Sequence, residues 1–144
     1  MSSHHPHLRT SCDCRAISLL TRIIVDHLGI VQPHEPPVPD EPWADLPKVL
    51  TLAAFENVTM KITGACTLSR QQYPFDDIWD PVCRMIDAFG IDRCMWGTDW
   101  TRAVAFLDYP QGVEAFRATN RISESDKVKL MGANVARIYG WQPG

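Results

Sequence analysis

The sequence has no apolar run long enough for a membrane-spanning helix, which needs about 18 or more consecutive apolar residues. Its first residues also lack the apolar core of a signal peptide. Basic residues are not in excess, because 14 lysines and arginines stand against 17 aspartates and glutamates, giving a formal net charge of −3. A protein that binds nucleic acid through a basic surface is therefore excluded. We expect a cytoplasmic protein that binds neither membrane nor nucleic acid.

A disulfide framework and an internal repeat are missing too. The five cysteines are odd in number and scattered, unlike the paired cysteines of a small secreted protein. Reduced thiols in a cytoplasm are the simpler interpretation. No repeat indicates a solenoid. With 144 residues, 45% of them hydrophobic and 22% charged, the chain has the size and composition of one globular domain.

Residues 1–18 differ from the rest of the chain. They hold three of the five histidines and two of the five cysteines, and they show little apolar periodicity. This composition predicts a disordered or irregular arm, followed by one domain over residues 19–144. The motifs His5-Pro6-His7 and Cys12-x-Cys14 could supply metal ligands. A solvated tail is favoured, because no apolar strand precedes the histidines and structural zinc usually needs four ligands.

Three strand-like segments alternate with helical patterns. The predicted strands cover residues 21–29, 57–64 and 93–100. The first is expected to be buried, and the second alternates between apolar and polar residues. The segments between and after them predict a proline-rich loop over 31–47, helices over 46–55 and 76–89, a polar loop over 65–75, and helices around 111–118, after Ser123 and over 134–139. Strands separated by helices predict an α/β fold with a parallel sheet, flanking helices and a C-terminal helical tail.

Each predicted strand ends in a different titratable side chain. His27, Lys61 and Asp99 lie at the carboxyl ends of the three strands, where the sites of α/β proteins gather. If the strands are parallel and adjacent, the three side chains converge on one rim. Arg70 and Arg102 follow the second and third strands in loops, where a surface arginine is the default and an anion clamp the less common outcome.

Each of the three side chains has a structural interpretation beside the functional one. Asp99 could bind a divalent metal or take a proton from water, or it could cap a turn. His27 could ligate a metal or polarise a carbonyl, or it could be a core histidine bonded near Asp26, which strict alternation makes a structural acid. Lys61 could point into a barrel, paired with an acid or a substrate anion, or it could face water on an edge strand.

Four motifs in this order resemble a known family. They are Val25–Gly29, Asn57–Gly64, Phe89–Trp100 and Leu130–Trp141. Together they resemble the C-terminal half of the amidohydrolase-related TIM-barrel hydrolases, and within them the lactonase branch, from about residue 20 to residue 141. The resemblance implies a partial (β/α)8 barrel of about three parallel strands, whose last strand ends in the Gly-Thr-Asp of Asp99. Thr101 departs from the branch, which usually has proline there.

The resemblance also implies roles for the site residues. Asp99 would activate the water that opens a lactone or similar cyclic ester. His27 would bind a divalent metal such as zinc, with Asp99 as a second ligand, or would bind the substrate carbonyl where no metal is used. Lys61, Arg70 and Trp100 would contact a small carboxylated or polar lactone.

Length departs from the family pattern, because a whole (β/α)8 barrel takes about 250 residues. We therefore expect a truncated chain that lacks the paired histidines of the first strand. Three strands leave two open edges, which a second copy of the chain or a missing N-terminal half would cover. Two alternatives stay open: a metal-dependent decarboxylase of the same superfamily, and a half-barrel that is inactive alone.

Overall fold

The structure is a computed structural model that describes residues 21–142 and 144. The predicted arm over residues 1–18, with His5-Pro6-His7, Cys12 and Cys14, lies outside the described residues.

Three parallel strands form one sheet. The strands β1 (Ile23–Val25), β2 (Val58–Thr63) and β3 (Cys94–Gly97) lie in the order β1-β2-β3, which confirms the predicted parallel sheet. Because β2 is the central strand, the interpretation of Lys61 as an edge-strand residue is wrong. The prediction of a buried first strand is also wrong, because β1 lies at the sheet edge and Ile23 is 39% exposed.

Six α-helices surround the sheet or follow it in the described part of the chain. They are α1 (Leu46–Thr51), α2 (Trp79–Phe89), α3 (Trp100–Ala103), α4 (Tyr109–Ala118), α5 (Glu124–Val128) and α6 (Asn134–Tyr139). Local chemistry sets their ends. Pro47 suits the first turn of α1, Gly90 ends α2 with φ 79°, and the Ser123 side chain accepts a hydrogen bond from the Asp126 amide at the start of α5.

Short tight turns complete the chain. A π-helical turn over Lys129–Ala133 joins α5 to α6, and a 3-10 turn over Ala65–Leu68 follows β2. All four residues of this 3-10 turn are buried, so the prediction of a polar loop over 65–75 is wrong in its first part. Residues 31–45 form the predicted proline-rich loop.

The hydrophobic core lies against one face of β2. Val58, Met60 and Ile62 are almost completely buried on that face, as their alternation predicts. Side chains of α2 pack in the same core, including Val82 and Met85, which have no exposed surface. Burial of each such side chain stabilises the fold by about 1.5–3 kcal/mol. No helix in the described part of the chain combines the length and apolar character that crossing a membrane requires.

The N-terminal ends of the strands are called the lower end here. At this end, two side chains donate hydrogen bonds to backbone carbonyls of neighbouring segments. The Arg93 guanidinium donates four hydrogen bonds of 2.7–3.2 Å, to the carbonyl oxygens of Ala53, Phe55, Val58 and Phe89. The buried Asn134 amide donates to the carbonyl oxygens of Ile91 at 2.6 Å and Cys94 at 2.8 Å. The lower end is therefore fastened by charge-assisted hydrogen bonds from the half-buried Arg93 and by neutral hydrogen bonds from the buried Asn134.

Candidate active site

Three side chains from three strands meet at the C-terminal ends of the sheet, called the upper end here. His27 follows β1, Thr63 ends β2 and Asp99 follows β3. The Nδ1 atom of His27 lies 3.1 Å from Oδ2 of Asp99 and 3.2 Å from Oγ1 of Thr63. The parallel sheet therefore brings together two residues that lie 72 positions apart, and it does so at the end where α/β proteins place their sites.

The backbone that carries these residues is strained. His27, Leu28 and Asp99 have φ values of 49°, 62° and 49°, a left-handed conformation that costs about 1–2 kcal/mol for a residue with a Cβ. Asp26 holds the turn, because its Oδ1 accepts the His27 amide at 3.0 Å and its carbonyl accepts the Gly29 amide at 2.9 Å. Strained residues of this kind cluster at active sites and ligand clamps.

Lys61 is paired with an acid rather than free. Its Nζ lies 2.8 Å from Oδ1 of Asp26, and the other Asp26 oxygen lies 3.6 Å from Nε2 of His27. Burial alone would raise the pKa of the Asp26 carboxyl, but the hydrogen bond and charge of Lys61, with the charge and amide of His27, hold this pKa below its ordinary value. Asp26 is therefore a charged anchor for the His27 turn, in agreement with its expected structural role.

Asp99 is the most buried acid of the site, with a side chain 10% exposed. Its Oδ2 has no hydrogen-bond donor among the described residues, although His27 lies close and Nε of Arg102 is 3.7 Å away. Arg102 also donates to the carbonyl oxygen of Gln32 at 3.1 Å. The default assignment of Arg102 to the free surface is therefore wrong; its i,i+3 spacing from Asp99 on α3 was the available signal.

Gln32 is a site residue that the sequence did not indicate. It is 3% exposed, and its Nε2 donates to the carbonyl oxygens of Thr63 at 2.7 Å and His27 at 3.4 Å. Its position within a proline-rich loop carries no sequence signal for burial.

The structure places Trp100 and Arg70 apart from the three-residue cluster. The Trp100 ring packs edge-on against Tyr109 at 5.3 Å between centroids. It lines a cavity of about 10 Å³ beside the upper end, with Trp96, Gly64 and Gly97 among its other walls. Arg70 is 55% exposed and donates to the carbonyl oxygen of Asp40 in the proline-rich loop at 3.0 Å. No contact among the described residues joins Arg70 to His27 or Asp99.

The described residues offer two metal-ligand side chains at the upper end, His27 and Asp99. Across residues 21–142 and 144, no group of three His, Cys, Asp or Glu side chains is placed to hold a metal ion. Catalytic zinc sites usually present three protein ligands. These two side chains are therefore not a complete zinc site by themselves, although each is of the type that binds zinc.

The arrangement has the parts for proton transfer at a carbonyl group. A buried carboxylate next to an imidazole can accept a proton from water, and the imidazole can donate a hydrogen bond to an oxygen that becomes negative.

Comparison with known proteins shows where the chain belongs. The sequence model of a family described as amidohydrolase matches residues 12–141. The chain is 34% identical over 125 residues to a 4-sulfomuconolactone hydrolase of Rhizobium radiobacter, a match that covers 83% of this chain and 40% of that protein. It is 27% identical over 131 residues to a 4-sulfomuconolactone hydrolase of Hydrogenophaga intermedia, covering 88% of this chain and 41% of that protein. The chain thus spans about two fifths of the length of these relatives.

Solved structures show the same fold. An amidohydrolase from Burkholderia multivorans with bound HEPES superposes with a TM-score of 0.67 at 25% identity, covering 83% of this chain and 44% of that one. The same protein in another crystal form has bound zinc. A structure titled as a hydrolase of 2-pyrone-4,6-dicarboxylic acid from Pseudomonas putida has a TM-score of 0.60 at 23% identity, with coverage of 85% and 44%. The three strands and their helices are therefore part of a (β/α)8 barrel, as the motifs predict.

Proposed function

The chain belongs to the amidohydrolase family, and on that basis we propose that it serves in the hydrolysis of a lactone by water. The observation that carries the proposal is the approach of His27 Nδ1 to Asp99 Oδ2 at 3.1 Å on the upper end of the sheet. Two relatives bear the name of a hydrolase that acts on a lactone, which supports a cyclic ester as the substrate class.

In the proposed reaction Asp99 is the general base. It accepts a proton from water while the water oxygen bonds to the lactone carbonyl carbon, and the carbonyl oxygen becomes negative. His27 donates a hydrogen bond to that oxygen, so the charge is stabilised where it develops. The tetrahedral intermediate then collapses, the ring C–O bond breaks, and the leaving oxygen takes the proton that Asp99 accepted, which returns Asp99 to the carboxylate. The products are a carboxylic acid, which loses its proton to water, and a hydroxyl or keto group in one open chain.

We assign substrate contacts to Lys61, Arg70 and Trp100. Trp100 gives a flat apolar wall for a ring, and Lys61 and Arg70 supply positive charge for an acidic substituent. The names of the relatives support an acidic lactone, since a sulfomuconolactone carries a sulfonate group. Lys61 serves this role only in addition to its ion pair with Asp26.

We also infer what surrounds this chain in the active form. Zinc, where it takes part, would be held by His27 and Asp99 together with a third ligand from outside the described residues. Within those residues β1 and β3 each pair with β2 alone, so a second copy or a separate barrel half would pair with their free edges. The scattered cysteines, of which Cys66, Cys83 and Cys94 are free, favour a cytoplasmic protein.

The test is an assay of the chain against a panel of lactones that includes 4-sulfomuconolactone. Hydrolysis is measured as the amount of acid that each reaction releases. The chain is first fractionated by size, so that activity is assigned to the monomer or to an assembly. Asp99→Asn keeps the shape of the side chain and removes its basicity, and we expect it to lower kcat by at least about 100-fold. Asp80→Asn is the matched control, because Asp80 lies exposed on α2.

Two results would overturn the proposal. One is near-wild-type kcat in Asp99→Asn, which would remove the general base. The other is the absence of lactone hydrolysis in every fraction; release of carbon dioxide from a carboxylated substrate in its place would favour a decarboxylase.

A further inference from the structure

Gln32 contacts the segments that follow all three strands. Its side chain donates to the carbonyl oxygen of Thr63 at 2.7 Å, at the end of β2, and to that of His27 at 3.4 Å, after β1. Its own carbonyl oxygen accepts the Arg102 guanidinium at 3.1 Å, on the helix that follows Asp99. One buried residue therefore links the three segments that carry the candidate active site.

Each of these links continues to a reacting group. Thr63, whose carbonyl Gln32 holds, places its hydroxyl 3.2 Å from Nδ1 of His27. Arg102, which Gln32 also holds, places its Nε 3.7 Å from the buried Oδ2 of Asp99. Displacement of Gln32 would therefore move both the imidazole and the partner of the carboxylate.

The Gln32 amide lies close against Gly64. A Cβ atom on Gly64 would lie 2.2 Å from Oε1 of Gln32, so another residue at this position would have to displace the end of the Gln32 side chain. Gly64 also has φ 71°, which disfavours any other residue. The Gln32 Oε1 itself is buried without a hydrogen-bond donor among the described residues. An apolar side chain of the same size would avoid this unpaired oxygen, but it would leave the Thr63 carbonyl without the donor that Gln32 supplies.

We propose that Gln32 is a positioning residue, which holds His27 and Asp99 at the separation that the reaction requires. The inference rests on the proposed hydrolysis, because it assigns these two residues the reacting roles. Gln32 touches neither water nor lactone in this scheme. Its side chain acts through Thr63 and His27, and its backbone carbonyl, which a side-chain substitution keeps, holds Arg102. Misplacement of reacting groups by about 1 Å can lower a rate by about 100-fold, so a loss in kcat without a loss in substrate binding is the expected signature.

The test compares Gln32→Met, which keeps the length and loses both donors, with Gln72→Met, in which an exposed glutamine is changed in the same way. The first readout needs no activity. Long-range ¹H–¹⁵N spectra of the histidine rings at one fixed pH report the tautomer of His27, assigned with His27→Asn, while exposed His34 is the internal reference. In wild type and in Gln72→Met we expect one His27 tautomer. In Gln32→Met we expect averaged signals like those of His34.

The second readout is steady-state hydrolysis well below the unfolding temperature. We expect kcat in Gln32→Met to fall by at least about 10-fold with KM changed less than about twofold. A purely structural role predicts the opposite pattern, a lower melting temperature with kcat of the folded fraction unchanged. If Gln32→Met does not fold, Gln32→Glu, which keeps the shape and loses the donors, takes its place in both measurements.

The outcomes separate this inference from the proposed function. An unchanged His27 ring spectrum in the folded Gln32 variant overturns the positioning role, whether or not lactones are hydrolysed. An altered spectrum in a chain that hydrolyses no lactone supports the role of Gln32 in holding His27 and overturns the proposed function. An altered spectrum with kcat unchanged overturns the catalytic importance of that positioning.

Discussion

The two ends of the sheet differ in backbone conformation and in the hydrogen bonding of their polar groups. At the lower end, Arg93 and Asn134 donate six hydrogen bonds to backbone carbonyls. At the upper end, His27 and Asp99 have left-handed backbones, and buried oxygens of Gln32 and Asp99 have no hydrogen-bond donor among the described residues.

This difference agrees with the proposed function, in which the upper end carries the reaction and the lower end stabilises the fold. An unpaired buried oxygen costs about 1–3 kcal/mol, and Oε1 of Gln32 at the upper end is such an atom, in addition to the backbone strain there. Oδ2 of Asp99 also lacks a hydrogen bond among the described residues, but it lies 3.1 Å from Nδ1 of His27. The lower end has one comparable atom, Oδ1 of Asn57. Barrels of this kind carry their chemistry at the C-terminal ends of the strands, and a fold keeps such strain only where other contacts over-determine the structure. The lower end supplies those contacts.

The largest effect should follow from breaking the lower end. Arg93→Met removes four hydrogen bonds to carbonyl oxygens and the contact of the guanidinium with the Phe89 ring, 5.4 Å from its centroid. We expect the free energy of unfolding to fall by about 3 kcal/mol or more, because several carbonyls lose a charged donor together. Urea denaturation followed by fluorescence and circular dichroism measures this loss.

Arg84→Met is the control for Arg93→Met. Arg84 is 52% exposed, and its partner Asp80 is 83% exposed, so this pair should contribute less than about 0.5 kcal/mol. Similar losses in the two variants would show that the lower end is not a special source of stability, and the comparison between the two ends would fail.

The sequence predicted the parts of the molecule that repeat in a regular pattern. The alternation over β2, the helical spacing over α2 and the cap at Ser123 each appear in the structure where the pattern places them. His27 and Asp99 lie together because parallel strands bring their carboxyl ends to one rim, but the β2 residue beside them is Thr63 and not the predicted Lys61. These features depend on local periodicity and on a general rule of topology, and both can be recognised without coordinates.

The features that the sequence did not predict depend on tertiary contact. Gln32 and Arg102 belong to the site because a loop and a short helix fold over the strand ends, and no spacing in the sequence indicates the loop's path. The 3-10 turn after β2 is buried although it contains the polar Thr67, because the Thr67 hydroxyl donates to the carbonyl oxygen of Gly64 at 2.7 Å. The pairing of Lys61 with an acid or a substrate anion was one of two open interpretations. The strand order decides between them, and the structure identifies the acid as Asp26.

A smaller effect is expected from a change at the upper end. His27→Asn keeps a side chain that tolerates the left-handed backbone and removes the imidazole. We expect the free energy of unfolding to change by less than about 1 kcal/mol, while lactone hydrolysis falls by at least about 100-fold. Denaturation and the lactone assay on one preparation measure both. A loss of stability as large as that of Arg93→Met would show that the upper end also carries the fold.

The smallest expected effect is a difference in the rate of local opening between the two ends of the sheet. Two buried cysteines, one at each end, report this rate. Burial raises the pKa of Cys66 to about 12, with a further increase from the charge of Asp77, and burial raises the pKa of Cys94 to about 12 although Arg93 opposes it. Because both values lie above the ordinary 9.0, the folded protein disfavours the thiolates. Their contribution to stability is therefore complete below about pH 9 and is lost as the pH rises towards 12.

Because both thiols have a pKa of about 12, a difference in their labelling by iodoacetamide at pH 8 reports how often each region opens. Cys66 follows β2 at the upper end, and Cys94 begins β3 at the lower end. We expect Cys66 to be labelled several-fold faster than Cys94 in peptide mass spectra, because the strained end opens at a lower free energy. In Arg93→Met the Cys94 rate should rise towards that of Cys66. Faster labelling of Cys94 in the wild type would reverse the assignment, since the lower end would then be the one that opens first.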